Sequence, residues 1–281
     1  MTDRTRISEY GPKKEVLVDR ILGNDGIYVV TLNSPETFNT MSVDLMQSIA
    51  QAFDAISHRA DADPNNDEVR AVVLRGEGRG FAVGLDIGKL DEYLDGDISG
   101  STDPWRAIWD CPFPVIGAVN GPAVTGGFEL ALACDVLLAS PRAVFMDNHA
   151  KYGVHPGRRL SQRLIQVCGI NNAKFATMSS FPIEAKLALT WGLVQQIYLD
   201  NEALECASVE IARMMANNHP MMVKRYKSLI DRGAMGTYAE GLELEGASDS
   251  TFYEDLSDLQ ATLKDGEAKF QEMISWVAAR E

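Results

Sequence analysis

The sequence predicts an α/β domain over residues 1–200, followed by a helical region over residues 201–281. Short apolar runs bounded by Gly and Pro are typical of buried strands. Up to residue 139 these runs alternate with helix-like segments, which favours parallel strands joined by crossovers. From residue 160 to the end almost every segment has helical character, and no Pro/Gly/Ser-rich linker, low-complexity run or internal repeat separates the parts.

The first elements are a hairpin and an amphipathic helix. Residues 16–21 and 26–32 are strand-like and flank a Gly-Asn-Asp-Gly turn, which predicts an antiparallel pair. Ser42 is a candidate N-cap for the helix that follows. The apolar positions of that helix fall on one face and are Leu45, Ile49, Phe53 and Ile56.

The middle of the chain repeats a strand and helix pattern. Residues 71–74 and 115–119 predict buried strands, residues 128–134 a helix, and residues 136–139 another strand. The later helices are expected over residues 161–168, 173–179, 183–191, 204–216, 221–232, 238–248 and 252–278. A last strand is expected over residues 193–199.

Composition limits the functional classes. The 281 residues are 46% hydrophobic and carry a formal net charge of −14, which makes nucleic acid and anionic membranes unfavourable partners. The four cysteines contain no C-x-x-C pair, so free thiols in a reducing compartment are expected. The first residues lack an apolar signal region and no run approaches the length of a membrane span, so we expect a cytoplasmic protein with no membrane partner.

The stretch around Gly126, Gly127 and Glu129 is the strongest candidate for a site. It follows a predicted strand and opens a predicted helix, where main-chain N–H groups lack helical partners and can hold a negative oxygen. Glu129 places a carboxylate one turn away. Glycine pairs also open helices for packing reasons alone, and the helix dipole favours an acidic residue in the first turn, so the pattern by itself leaves both interpretations open.

Five motifs occur together in a characteristic order. They are residues 33–41 (NSPETFNTM), 78–87 (GRGFAVGLDI), 121–135 (GPAVTGGFELALACD), 154–164 with VHPG and QRL, and 188–194 (ALTWGLV). In these motifs the chain resembles the crotonase, or enoyl-CoA hydratase/isomerase, superfamily. The resemblance implies a spiral of ββα units whose C-terminal helices form homotrimers, often paired as hexamers. It also implies an acyl-CoA thioester substrate, with coenzyme A as part of that substrate and no separate cofactor.

The resemblance assigns roles to individual residues. The N–H groups of Leu85 and Gly126 correspond to the family's oxyanion hole, and Glu129 corresponds to one of its two hydratase glutamates. Two preset amides would stabilise the enolate oxygen that forms during the reaction. The region that receives the adenine end of coenzyme A corresponds to Thr37, Phe38, Val83, Leu85, Asp86 and Ile87.

Two positions depart from the family pattern. His149 stands where the second glutamate is expected; it could orient water or exchange a proton, or it could be a packed histidine beside a site that depends on Glu129 alone. Alternation along a strand would place Asp147 on the same face as His149. Arg158 and Arg159 replace small residues; they could narrow the acyl pocket, hold a carboxylate of the acyl group, or lie on a solvated face. No residue pattern indicates a metal site.

Several activities fit this pattern. Hydration of a 2-enoyl-CoA is the leading hypothesis, with Glu129 as general base and His149 assisting. Isomerisation of an enoyl-CoA or hydrolysis of an acyl-CoA would use the same enolate site with fewer side chains. A non-catalytic acyl-CoA binding protein is a further alternative.

Overall fold

The computed structural model describes residues 3–23, 26–59, 69–85 and 102–252, together with residues 266, 267, 270, 271, 274–276 and 278. The chain divides into two compact units, Met1–Lys224 and Arg225–Glu281. Each unit is described separately.

The strands of the described residues form two sheets. They are β1 (Arg4–Tyr10), β2 (Val16–Ile21), β3 (Ile27–Leu32), β4 (Ala71–Gly76), β5 (Val115–Val119), β6 (Pro122–Val124), β7 (Val136–Ala139), β8 (Val144–Met146), β9 (Ile183–Glu184) and β10 (Gln196–Ile197). The larger sheet has the order β1-β2-β3-β4-β5-β7-β10, and the smaller has the order β6-β8-β9.

The predicted hairpin is confirmed. Strands β2 and β3 pair antiparallel, with Val16 opposite Leu32. From β3 to β10 the pairs of the larger sheet are parallel, as the strand and helix alternation predicts. Strand β1 was not predicted, because its residues are polar and largely exposed and give no hydrophobic pattern.

The helices of the described residues are α1 (Val43–Arg59), α2 (Pro104–Trp109), α3 (Gly126–Leu132), α4 (His149–Tyr152), α5 (Leu160–Cys168), α6 (Ile170–Ser179), α7 (Ala185–Thr190), α8 (Asn201–Ala216), α9 (Pro220–Gly233) and α10 (Tyr238–Phe252). The N–H of Leu45 donates to Ser42 Oγ at 3.1 Å, which confirms the predicted cap of α1. The four apolar residues predicted for one face of α1 are all buried. The helix predicted over residues 183–191 instead begins with the short strand β9, and the strand predicted over 193–199 is confined to β10.

The expected ββα unit occurs twice around the site. Strand β5 of the larger sheet is followed by β6 of the smaller sheet and then by α3; β7, β8 and α4 follow in the same way. Because β6 and β8 pair in parallel, the segments that follow them lie side by side. The loop before α3 and the start of α4 are therefore neighbours.

Both faces of the larger sheet are covered, which explains why all six residues of β3 are buried. One face belongs to the main core with α1, α3 and the smaller sheet. The other face packs against α8 through Leu204, Val209 and Ala212. The first unit includes α8; the assignment of residues 201–281 to a separate region stays a prediction.

The second unit contains α10, which begins with a reciprocal cap. Thr237 N and Oγ1 donate to Glu240 Oε2 at 2.7 and 2.8 Å, and Glu240 N donates to Thr237 Oγ1 at 3.3 Å. The helix predicted over residues 252–278 lies largely outside the described residues. Within the described part of the chain, no helix is long and apolar enough to cross a membrane.

Candidate functional site

The turn into helix α3 holds Glu129 at the centre of the first unit. Thr125 precedes the helix with φ 51° and ψ −109°, an unfavourable conformation for a residue with a β-carbon. Two contacts fix this turn: Thr125 N donates to Met146 O at 2.8 Å, and Asn148 N donates to Thr125 Oγ1 at 3.3 Å. The turn thus joins α3 to the segment after β8.

Glu129 is a buried carboxylate with its two oxygens in different surroundings. The residue is 3% exposed. Its Oε1 accepts the main-chain N–H of Arg158 at 3.1 Å, whereas Oε2 lies 3.9 Å from His149 Nε2. One oxygen is therefore anchored, and the other faces a histidine at a distance longer than a direct hydrogen bond.

His149 and Asp147 form a buried pair. Asp147 Oδ1 lies 2.6 Å from His149 Nδ1 and also accepts the His149 main-chain N–H at 3.0 Å. The expected proximity is confirmed, but the reason given by strand alternation is wrong. Strand β8 ends at Met146 and His149 begins α4, so a tight turn brings the two side chains together.

This arrangement raises the pKa values of both Glu129 and His149. Burial raises the pKa of Glu129 to about 7, against the opposing effects of the His149 charge and the Arg158 N–H. For His149, burial acts to lower the pKa, but the hydrogen bond to Asp147 and the charges of Glu129 and Asp147 outweigh it and raise the pKa. Glu129 can therefore exchange protons near neutral pH.

The two amides predicted for an oxyanion hole belong to adjacent main-chain segments. A β-carbon added at Gly84 would lie 3.1 Å from Thr125 Cβ and 3.4 Å from Val124 O, so the chain before Leu85 passes directly against the chain before Gly126. Leu85 forms a β-bridge with Met41. The convergence of the Leu85 and Gly126 N–H groups stays a prediction.

The two loops predicted to receive coenzyme A are joined by main-chain hydrogen bonds. Val83 N donates to Phe38 O at 3.2 Å, and Thr37 lies in the turn just before Phe38. The Arg79 guanidinium lies 4.9 Å from the centre of the Phe38 ring. Asp86 and Ile87, predicted for the same region, lie outside the described residues.

Asn39, which the sequence analysis did not single out, holds these loops together. It is fully buried, and its Nδ2 donates to Gly80 O and Phe81 O, each at 3.0 Å. Its Oδ1 accepts Ser34 N at 2.8 Å. Asn39 has φ 55°, a conformation that Asn tolerates better than most residues, and an Asn between two predicted elements was the available signal.

A cavity beside Glu129 is lined by aromatic and charged side chains. Arg158 Nη1 pairs with Asp103 Oδ2 at 3.1 Å, and its guanidinium lies 5.0 Å from the centre of the Trp105 ring. Arg159 also lines the cavity, with its guanidinium 4.8 Å from the centre of the Trp109 ring. Both arginines therefore line the cavity; Arg158 is half-buried by these contacts, whereas Arg159 is exposed, as the solvated-face interpretation expects.

Helix α2, which supplies both tryptophans, was missed by the sequence analysis. Its signals were present: Asp103 caps it by accepting Arg106 N at 3.0 Å, and Pro104 occupies its first turn. Trp105 is buried and donates its Nε1–H to Gly126 O at 3.0 Å. This helix thereby contacts the start of α3.

No group of three or more His, Cys, Asp or Glu side chains suited to a metal ion occurs among the described residues. The cysteine next to the site, Cys134, is buried. His155, which precedes Pro156 in the loop after α4, is exposed.

Comparison with known proteins identifies one family. The model of the enoyl-CoA hydratase/isomerase family matches residues 23–275. A protein of Arabidopsis thaliana named "Probable enoyl-CoA hydratase 1, peroxisomal" is 36% identical over 257 residues, 91% of this chain and 90% of that protein. The mitochondrial delta(3,5)-delta(2,4)-dienoyl-CoA isomerase of Dictyostelium discoideum is 28% identical over 240 residues, 79% of this chain and 80% of that protein.

The fold comparison agrees. The crystal structure of an enoyl-CoA hydratase from Bacillus anthracis superimposes with a TM-score of 0.79 at 26% sequence identity, covering 91% of this chain and 96% of that one. The similarity therefore extends over nearly the whole length of both chains.

Proposed function

The chain belongs to the enoyl-CoA hydratase/isomerase family, and we propose that it adds water reversibly to the double bond of a 2-enoyl-CoA thioester. In this reaction the water oxygen bonds to the β-carbon, and the double bond shifts to give an enolate. The enolate then takes a proton at the α-carbon, so that both hydrogens of water enter the product.

The observation that supports the proposal is the position of the Glu129 carboxyl. It is buried, its Oε1 is anchored by Arg158 N–H, and burial raises its pKa to about 7. A group with such a pKa is suited to take a proton from water and return one to carbon at neutral pH. Glu129 Oε2 is the oxygen left to do this.

His149 assists by holding the water. Asp147 Oδ1 accepts a hydrogen bond from the N–H at Nδ1. This leaves Nε2 on the side of Glu129 Oε2, at 3.9 Å. A substrate water can contact both atoms at this separation. Oε2 takes a proton from this water while the water oxygen attacks the β-carbon. The N–H groups of Leu85 and Gly126 would stabilise the negative charge that forms on the thioester oxygen.

The test follows loss of the conjugated thioester absorbance with crotonyl-CoA and longer or aromatic enoyl-CoAs. Glu129→Gln keeps the shape but removes the proton-accepting oxygen, and we expect turnover to fall by about a hundredfold or more. The exposed Glu210, changed to Gln, is the matched control. Undiminished turnover in Glu129→Gln would exclude the assigned role.

Isomerisation is the second candidate. It is favoured by His149 at the position of the second glutamate and by the similarity to a dienoyl-CoA isomerase. Moving a double bond needs one group that removes a proton and returns it elsewhere, which Glu129 alone could do. Product mass separates the reactions: a gain of water indicates hydration, unchanged mass indicates isomerisation, and free coenzyme A indicates hydrolysis.

Coenzyme A enters this proposal only as part of the substrate. The loops of Thr37, Phe38, Val83 and Leu85 would receive its adenine end, with the Phe38 ring held against Arg79. Phe38→Ala should then raise KM for enoyl-CoA more than it lowers kcat. Turnover should be unchanged after treatment with a metal chelator, because no separate cofactor is required.

The assembly and compartment complete the proposal. The second unit exposes large apolar side chains such as Tyr226, Ile230 and Leu242, which supports a homotrimer or a hexamer of two trimers. Light scattering would give the mass directly.

The four cysteines are free thiols, three of them buried, which supports a reducing compartment such as the cytoplasm. Cell fractionation tests the location.

A further inference from the structure

Two arginines of the cavity contact one tryptophan. The guanidinium carbons of Arg159 and Arg163 lie 4.8 and 5.4 Å from the centre of the Trp109 ring. Both arginines, the tryptophan and Glu129 line the same cavity. Two positive groups are therefore held close together in the cavity that Glu129 also lines.

The other arginines of this cavity are already neutralised. Arg158 pairs with Asp103 at 3.1 Å, and Arg106 pairs with Asp110 at 3.0 Å. Among the described residues, no carboxylate forms an ion pair with Arg159 or Arg163; the hydrogen bond found for Arg163 is to Gln166 Oε1 at 3.4 Å. Two like charges on one ring repel each other, and an anion between them would remove that repulsion.

The local structure holds these groups in place. Arg159 has φ 67°, a left-handed conformation that is costly for a residue with a β-carbon, and it caps α5. Its carbonyl accepts Arg163 N at 2.8 Å, which places the two side chains one turn apart on the same side of α5. Trp109 restricts both guanidinium groups by stacking, so less side-chain freedom is lost when an anion binds.

We propose that Arg159 and Arg163 bind a carboxylate at the end of the acyl group, so that the substrates are CoA monothioesters of unsaturated dicarboxylic acids. This inference rests on the proposed function for the placement of the thioester beside Glu129. Because Arg158 N–H contacts Glu129 and Arg159 is the next residue, the acyl chain would extend from the reacting carbons toward the arginines. Arginine is suited to this role because its planar fork matches a carboxylate.

The primary test measures binding rather than turnover. Adipoyl-CoA and hexanoyl-CoA have acyl chains of equal carbon number, differ in the terminal carboxylate, and cannot be hydrated because they are saturated. Calorimetry on the wild-type protein should give adipoyl-CoA roughly tenfold to a hundredfold tighter binding. Equal binding, or tighter binding of hexanoyl-CoA, would overturn the proposal.

Variants locate the preference. In the Arg159→Gln, Arg163→Gln double variant the preference should disappear, while hexanoyl-CoA affinity changes by less than about threefold. Arg106→Gln is the matched control, since Arg106 lines the same cavity but is paired with Asp110. A preference that survives in the double variant, or that is lost equally in the control, would refute the assignment to these two arginines.

Salt dependence of the wild-type protein gives a result even if the double variant fails to fold. Raising ionic strength should weaken adipoyl-CoA binding more than hexanoyl-CoA binding, because only the former has the extra charge contact. An identical response of the two ligands contradicts the proposal. Turnover of 2-hexenoyl-CoA is assayed in parallel: absence of hydration with the adipoyl preference intact would reject the proposed function and leave the carboxylate site standing.

Discussion

His149 Nε2 lies 3.9 Å from Glu129 Oε2, with both side chains buried. On the far side of the imidazole, Asp147 Oδ1 lies 2.6 Å from Nδ1. The imidazole of His149 therefore lies between the carboxyl groups of Glu129 and Asp147. The pKa values of both Glu129 and His149 are raised. Protonation of either member depends on the other, so titration of the site should report apparent values for the pair.

The first prediction concerns the pH dependence of turnover. Glu129 must be ionised to accept the proton of water, and burial raises its pKa to about 7. We therefore expect kcat/KM to fall as pH decreases below about 7. A pH series with crotonyl-CoA at constant ionic strength measures this; an acid limb near the ordinary carboxyl value would mean that the pKa of the titrating base is not raised.

The second prediction concerns Asp147 as a positioning residue. Asp147→Asn removes the charge that raises the pKa of His149 while keeping the side-chain shape. We expect kcat to fall roughly tenfold to a hundredfold, the amount set by one charged hydrogen bond, with a smaller change in KM. The His149 pKa, measured by NMR of the imidazole, should also fall.

A matched comparison is available for that variant. Asp110→Asn changes an exposed aspartate that pairs with Arg106, and it should leave both kcat and the His149 pKa unchanged. If the His149 pKa falls in Asp147→Asn and kcat does not, the imidazole has no part in the reaction.

The third prediction concerns stability and its dependence on pH. The folded-state pKa of Glu129 is above its ordinary value, so the folded protein loses stability as pH rises from about 4.5 to about 7. The loss is on the order of 3 kcal/mol, because the pKa rises from 4.5 to about 7 and each pKa unit corresponds to 1.36 kcal/mol. Glu129→Gln abolishes this titration.

Denaturant unfolding of both proteins tests this. The free energy of unfolding of Glu129→Gln, relative to wild type, should be greater at pH 8 than at pH 4.5 by about that amount. The contribution of His149 to the free energy of unfolding changes with pH in the same direction. Its raised pKa favours the folded state below about 6.5, and this contribution is lost at higher pH. A constant difference across the range would show that Glu129 ionises normally in the folded state.

The fourth prediction separates the two glycines of the pair. A β-carbon on Gly126 would meet Trp105 Cζ2 at 3.5 Å and Met41 Cγ at 3.8 Å, which are ordinary contacts. A β-carbon on Gly127 would overlap the carbonyl oxygen of Ala82. Gly127→Ala should therefore destabilise the fold by roughly 2–4 kcal/mol, whereas Gly126→Ala should change stability by less than about 1 kcal/mol.

Thermal unfolding of the two variants side by side measures the difference. Equal losses of stability would indicate that the main chain around Ala82 yields easily. The sequence presents these glycines as equivalent neighbours, and only the approach of the chain at Ala82 distinguishes them.

Local signals predicted much of the fold. Ser42 followed by apolar residues at helical spacing specifies α1 because the cap and the buried face both depend on nearby residues. Strand β1 could not be found this way, since its residues are largely exposed and it is defined by pairing with β2. Helix α2 had a cap and an N-terminal proline but is only six residues long, too short to show a periodic pattern.

The sequence predicts which residues form the candidate site better than it predicts the contacts between them. Glu129 lies in a family motif and His149 stands where the family's second glutamate is expected, so the sequence alone identifies both as candidates. The contact between Arg158 N–H and Glu129 joins residues 29 positions apart and depends on the path of the loop before α5. The side chain of Arg158 contacts Asp103 and Trp105, at the start of the helix that the sequence did not predict, which is why a solvated arginine remained an open interpretation there.

The bond between Arg158 and Glu129 uses only peptide atoms on the arginine side. The side chain of Arg158 extends instead to Asp103 and Trp105. The main chain of Arg158 thus contacts Glu129, while its side chain shapes the cavity beside it. Any amino acid except proline at this position has the main-chain N–H that contacts Glu129. Relatives could therefore differ in substrate choice at this position and still keep that hydrogen bond.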